Sequence, residues 1–451
     1  MPEFIAHSGL GSPRLEGGEF DVIIIGAGIA GLGAATALAA KGKRVLMLEA
    51  RDRVGGRILT EHCPGWPSPV ELGAEFIHGG NAALTTALRR AGLARQPAPE
   101  NHWLVRDGLR AAAPDAFARI DAAMRKIGPR TRASFATWLR RHGRAISAPD
   151  QELVKSFVEG FEGAPIGLMS AHSMYQAAVA GEGTQERPGA GGYGKLVQEM
   201  ASRLPDRLVE IRLQTRVSSV RWKHGRVSVR SGRKSVGSAG SAIVTLPLGV
   251  LKLASAQGGV DFSPPLKSRA RLLSRLESGH TVRLVLRLRA DAWKRGPIPA
   301  ELRARSGQGF GFLHSTQKYF PVWWSLAPDP VLVAWMGGPA AKSVAGVAPK
   351  KLVALALDSL AQLLRVERKA LAGLVQDYRV HDWTADPSTR GSYSFSVAGE
   401  EDAPLRLSAP VGGTLFFAGE ATADPVEMGT VHGALASGQR AAREYLSSAA
   451  R

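Results

Sequence analysis

A chain of 451 residues with 44% hydrophobic and 22% charged residues has the composition of a soluble globular protein. Extended disorder is excluded, and the length exceeds one ordinary core, so two domains are expected. The 58 Lys+Arg against 39 Asp+Glu give a charge of +19, but no run of five basic residues occurs, and the densest region, 212–234, alternates them with Val and Ser like the wet face of strands. The charge is read as solvated surface, with a surface for acidic partners as the alternative, and no nucleic-acid partner is expected.

Residues 1–19 are punctuated by Gly and Pro and are expected to be poorly ordered. They hold no basic stretch followed by an apolar core, so no signal peptide is expected. The single cysteine, Cys63, rules out an internal disulfide. No apolar run approaches the ~20 residues that cross a bilayer, and a cytoplasmic location without a membrane span is expected.

The first predicted element is a buried-type strand, Val22 to Ile25, running into Gly26-Ala27-Gly28-Ile29-Ala30-Gly31. A helix without proline, Thr36 to Ala40, and a strand, Arg44 to Leu48, follow. Glu49 stands 18 residues after the last glycine. Gly26 permits a tight turn, Gly28 lets a pyrophosphate approach the backbone, and Gly31 lets the helix lie close on the strand. The helix start offers unpaired N–H groups and a partial positive charge to phosphates. Glu49 is placed to accept from ribose hydroxyls. A lone GxGxxG carries little weight, but strand, helix, strand and acid in register define a dinucleotide site.

The continuation from Glu49 to Arg57, EARDRVGGR, resembles the flavin amine oxidase family, which includes monoamine oxidases, polyamine oxidases and flavin histone lysine demethylases. The resemblance implies FAD, with the glycine pair and the arginine passing close to its phosphates. Cofactor-binding residues implied here are Gly26, Gly28, Ala30, Gly31, Glu49, Ala50, Arg51, Gly56 and Arg57. Val70 to Gly79 resembles the family's second flavin-proximal loop. It adds Gly73, Ala74, Glu75 and Phe76, and it puts His78 near the substrate.

From Asn81 to about Gly183 the pattern is helical: Ala82 to Ala91, Pro114 to Gly128, Phe135 to His142, and Asp150 to Glu162 with Asp150 as N-cap. Gly191 to Gly194 opens a helix, Lys195 to Leu204. Two strands then flank a hairpin turn at Lys223 to Arg226, and by the resemblance Val217 meets the adenine through its backbone. Ser241 to Pro247 reads as a buried strand. Phe262 to Leu266 resembles the family's loop into the second half of a substrate domain. Thr281 to Leu288 alternates, with Val282, Leu284, Leu286 and Leu288 on one face and Arg283, Val285 and Arg287 on the other. Phe310 to Trp324 and Val331 to Gly337 read as further strands, Pro349 to Leu364 and Glu367 to Leu374 as helices. The last unit, a strand from Leu415 to Ala418 and a helix from Val431 to Tyr445, resembles the C-terminal FAD signature. It contributes Gly419, Glu420, Thr430 and Val431.

The fold expected is α/β: a discontinuous Rossmann-like FAD-binding domain (20–85, 190–255, 385–451) and a mixed-sheet plus helical substrate-binding domain (86–189, 256–384). The resemblance implies oxidation of an amine, possibly a polyamine, by hydride transfer to flavin N5, with O2 as acceptor giving H2O2. It puts Tyr393 over the ring face. Thr430 stands where a second aromatic is common, so half of an aromatic cage is evident. Ser392 replaces the cysteine that attaches flavin in monoamine oxidases, so FAD is expected to be non-covalent. Arg283 falls where the family carries a lysine holding a water at N5. It either holds that water by hydrogen bonding alone, because arginine stays protonated, or is a solvated strand residue. Alternative readings are a same-fold flavoenzyme acting on an amino acid or desaturating C–C bonds, and an FAD-holding protein binding acidic partners. There is no HExxH, paired CxxC or GxSxG, and no metal is expected.

Overall fold

The computed structural model describes residues 19–449 except 100, 107, 182–184, 295 and 304–308. The expectation for the N-terminus therefore falls, apart from Glu19, outside the described residues. Strand β1 (Phe20–Ile25) lies inside the first sheet and is buried from Val22 onward, as a strand covered on both faces must be. It pairs in parallel with β2 (Val45–Leu48) and with Lys234–Val244. Val209–Arg212 and Leu415–Phe417 extend the parallel set on the two sides. The predicted hairpin is present, Lys223 facing Arg226, and joins antiparallel. One sheet thus collects strands from the start, middle and end of the chain, the discontinuous Rossmann-like arrangement expected.

Helix α1 (Ile29–Ala39) begins seven residues before the predicted Thr36. Each internal glycine disfavours a helix by about 1 kcal/mol relative to alanine, which hides the start from sequence patterning. Tertiary packing overrides this: a Cβ on Gly31 would lie 2.1 Å from the Gly26 carbonyl oxygen. The helix is buried almost all round, as a helix sandwiched between layers should be. On its outer side the C-terminal helix, Val431–Ala449, approaches so closely that a Cβ on Gly438 would lie 2.0 Å from Ala30 O.

The second sheet runs in the order Val375–Asp382, Thr281–Leu288, Val331–Gly337, Val322–Ser325, Phe312–Ser315, His102–Arg106, Leu109–Ala112. The stretch predicted as one strand from Phe310 to Trp324 is two strands, antiparallel to each other. Helix Pro349–Leu364 covers one face, packing Leu352, Ala356 and Leu360 on Leu284 and Leu286. The four helices Ala116–Arg125, Phe135–His142, Ala148–Gly160 and Ala171–Ala180 share a separate core. The N-cap of Ala148–Gly160 is Ser147 and not Asp150. Ser147 Oγ accepts from the Asp150 amide at 3.2 Å, while Asp150 pairs with Arg119 at 2.6 Å. Pro149 in the first turn fixes that start.

We propose the two-domain division stated above, with the edge strand Asp261–Ser263 reckoned to the first domain because it pairs with Ser219–Lys223. Among the described residues no helix is long and apolar enough to cross a membrane.

Candidate active site

A cavity of about 540 Å³ opens between the two sheets. Its phosphate-facing end is built from the turn after β1, from Glu49 to Arg51 after β2, and from Gly55 to Arg57. Gly26 turns the chain at φ +109°. Gly28 and Ala30 line the space; Gly31 stands behind them and contributes by packing. An added Cβ at Gly28 would meet nothing nearer than Gly56 Cα at 3.9 Å, so it would enter the cavity and not the protein. Gly28 is also the N-cap of α1, with no side-chain cap. Open backbone at a helix start, facing a cavity, fits a pyrophosphate.

Glu49 is buried and doubly held: Oε2 accepts from Ala27 N at 2.8 Å and Oε1 from Arg51 N at 2.9 Å. Sequence reasoning missed Arg53. Its guanidinium donates to the carbonyls of Gly56 and Ile58, each at 2.9 Å, and so pins the glycine-pair turn from outside. It also missed Asp386, which joins Arg51 (2.8 Å) to His381 (3.1 Å). The signal was present as Thr384 and Asp386 between Trp383 and Pro387, but the partner of Asp386 lies 335 residues away.

Although burial pushes the Asp386 carboxyl up, hydrogen bonds from His381 and Arg51 and the Arg51 charge hold it well below the ordinary range. A lowered folded value means stabilisation in full above about pH 4, lost as pH falls through the lowered value. Asp386→Asn is expected to lower Tm at pH 7 and to flatten its decline between about pH 4 and pH 2. Thermal scans against pH test this; a decline parallel to the parent would remove Asp386 from the acid response.

The Gly73–Phe76 loop lines the middle of the cavity. Arg283 reaches it from the second sheet and is 2% exposed, which rules out a solvated strand residue. The face carrying Arg283 and Val285 is dry because Leu59, Val70, Leu72 and Trp383 pack on it. Arg283 pairs with Glu75, donates to Gly73 O at 3.3 Å, and stacks over Trp324 at 5.1 Å. Arg187 approaches the other Glu75 oxygen at 3.0 Å. Burial alone would raise the Glu75 carboxyl, but the two arginines lower it, so the cluster carries one net positive charge. Val217 lines the cavity as well, beside Thr215 and Arg216. Behind the loop, Glu71 accepts from Thr60 Oγ1 (2.6 Å) and Tyr193 N (2.7 Å), tying it to the helix Gly192–Ser202.

Tyr393, His78 and the Gly419–Glu420 and Thr430–Val431 pairs all reach the same cavity. Glu420, a cofactor-binding residue by the resemblance, has its oxygens occupied within the folded chain by Ser394 Oγ (2.8 Å), the amides of Ser394 and Gly429 (both 3.1 Å) and Arg57 (2.9 Å). It fastens three separated segments at one point. Thr430 caps the last helix, accepting from Gly433 N at 3.0 Å and donating to Glu427 O at 2.6 Å. Gly429 leaves room for Tyr393, whose Cβ would be 3.2 Å from a side chain there. Burial, and then the adjacent His78, lower the His432 imidazole to about 4, so it is neutral near pH 7. The outer walls, Phe157, Phe161, Met169, Met174 and Trp335, are apolar.

A Rossmann-like sheet, a phosphate cradle and an adjoining apolar chamber define a dinucleotide-dependent oxidoreductase. Residues 29–446 match the flavin containing amine oxidoreductase family, and the chain belongs to it. FAD is the cofactor of this family, and the protein is a flavin-dependent amine oxidase. It is 28% identical to polyamine oxidase 4 of Oryza sativa subsp. japonica over 94% of this chain and 88% of that protein. The fold matches putrescine oxidase bound to putrescine (TM-score 0.77, 22% identity, 95% of this chain and 99% of that one). It matches cyclohexylamine oxidase from Brevibacterium oxydans equally well (TM-score 0.77, 22% identity, 96% and 100%).

Proposed function

We propose that the protein converts a small primary or secondary amine to its imine, which water then hydrolyses, with O2 as the final acceptor. The observation that carries this reading is one uninterrupted cavity joining the Gly26–Gly28 turn to the apolar chamber beside Tyr393 and Arg283. When bound, FAD supplies the acceptor for the hydride from the amine α-carbon and passes both electrons to O2, giving H2O2. The glycine turns, Glu49 to Arg57, Gly73 to Phe76, Val217 and the Gly419–Val431 unit hold that cofactor in this reading. Tyr393 orients the amine, and His78 lies at the substrate side. The apolar walls exclude water and favour the neutral amine, because desolvation penalises its ammonium form. Arg283, locked by Glu75, presents a fixed positive charge toward developing negative charge and does not act as a base. Without an internal disulfide, the proposed setting is the reducing cytoplasm.

Anaerobic mixing with a panel of amines is expected to bleach the flavin, and air to restore it with peroxide release. A panel of amines that leaves the spectrum unchanged would overturn the reading. Because Ser392 stands at the attachment position, acid precipitation is expected to release the flavin; colour retained in the pellet would contradict a non-covalent cofactor.

A further inference from the structure

Residues 211–260 hold nine Lys and Arg and no Asp or Glu. Within this stretch run the antiparallel strands Ser219–Lys223, Arg226–Ser231 and Lys234–Val244. Their inner side is apolar: Val220, Val227 and Val229 are unexposed and share a core with Ile23, Ile25, Leu46 and Leu48. The strand period of two then sends the intervening residues outward. Ser219, Arg221 and Lys223 come from one strand and Arg226, Ser228 and Arg230 from the next, in facing register. The absence of a basic run, which argued against a nucleic-acid partner, follows from this alternation. The cations are separated along the chain and adjacent across the sheet.

Arg221, Lys223 and Arg226 are exposed, as are Arg233 and Lys234 at the turn that ends the face about 17 Å away. Lys223 stands directly opposite Arg226, a like-charge pair that by itself weakens a sheet. Arg221 faces Ser228 and Arg230 faces Ser219, so hydroxyls alternate with guanidinium groups. Arg230 also donates to Arg233 O and holds the turn. The carboxylate that the register brings alongside is Asp261, beside Ser219 on the edge strand. Among the described residues no ion pair engages Arg221, Lys223, Arg226, Arg233 or Lys234.

Charge alone does not choose the partner; the other groups of the face do. Among the described residues the exposed large hydrophobics, Leu109, Leu168, Val179, Leu405 and Val426, all lie elsewhere, so the face has nothing to bury in a bilayer. Trp222 turns inward and donates its indole N–H to Pro264 O at 2.9 Å, which leaves no aromatic platform for single-stranded bases. Guanidinium, ammonium and hydroxyl donors are the groups that grip phosphate oxygens without reading bases. We propose that this sheet face docks the phosphate backbone of a nucleic-acid duplex, without preference for sequence. None of Arg221, Lys223, Arg226 and Arg230 lines the active-site cavity, so docking is independent of amine oxidation.

The test is fluorescence anisotropy of labelled mixed-sequence DNA duplexes titrated with holoenzyme between about 50 and 200 mM salt. The logarithm of the binding constant is expected to fall linearly with that of the salt concentration, with a slope of about −4 or steeper, close to one unit for each phosphate neutralised. Duplexes of different sequence should bind alike. Combining Arg221→Ser, Lys223→Ser and Arg226→Ser should flatten the slope by about 3, with flavin content, amine turnover and Tm equal to the parent's. An equal loss of charge at exposed positions elsewhere, Arg130→Ser with Arg141→Ser and Arg144→Ser, should leave the slope as it was. A slope near zero, the same flattening in both triple variants, or tighter capture by phosphatidylserine vesicles than by the duplex at one salt concentration overturns the proposal.

Discussion

Gly28→Val is expected to give a folded protein that retains no FAD. The usual expectation for valine at a buried glycine is a steric clash within the protein, and here the geometry points elsewhere. The Cβ position has only Gly56 Cα and Gly55 O near it, at 3.9 and 4.0 Å, and the backbone is extended with φ −69°. The branched side chain therefore fills the space where phosphates approach the start of α1, leaving the fold intact. Flavin absorbance after desalting should fall at least about tenfold, the equivalent of ~1.4 kcal/mol or more of lost binding. The Tm should equal that of the parent apoprotein, because a ligand that does not bind contributes nothing to stability. Gly31→Val is the contrast, since its Cβ would lie 2.1 Å from Gly26 O and must displace backbone. Normal flavin content in Gly28→Val would overturn the cofactor assignment.

Glu75→Ala is expected to cost about 3–5 kcal/mol of stability, the range found when one partner of a buried ion pair is removed. Arg283 is left 2% exposed without its paired carboxylate; Glu71, whose carboxyl burial pushes up to about 7, is the remaining acid its charge reaches, and Trp324 does not supply a counter-charge. Arg187, at 22% side-chain exposure, can turn toward water and adds little to the loss. If this account is right, the double variant Glu75→Leu with Arg283→Met should recover most of the loss, because the buried charge is gone from both sides. Chemical denaturation of the three proteins decides it. A double variant as unstable as Glu75→Ala would mean that loop packing, and not the unpaired charge, is at stake.

The parts legible in the sequence are those where the chain must come close to something through its backbone. Gly26, Gly28 and Gly31 are local requirements: a left-handed turn, an open cradle, a helix pressed on a strand. Their spacing to Glu49 is written in one short unit, and the family resemblance extends it to the Gly73–Phe76 loop and the C-terminal unit. All three reach one cavity. Alternation also carried real information, since Val282, Leu284, Leu286 and Leu288 do share the face under the helix Pro349–Leu364. Its opposite face left two readings open. An arginine between Val282 and Leu284 can be wet or face the cavity, and only the packing of Leu59, Val70 and Trp383 on that face makes it dry.

The sequence by itself determined the dinucleotide fold, because glycine placement and strand burial are set by backbone geometry over a few residues, and the family resemblance added that the dinucleotide is FAD. Tertiary structure alone decided which polar groups neutralise one another. Arg51 meets Asp386 across 335 positions and Arg283 meets Glu75 across 208. Glu420 is spent on Arg57 and Ser394. Charge partners are chosen by distance in space, and in a fold whose first sheet gathers strands from both ends of the chain, separation along the sequence does not predict that distance.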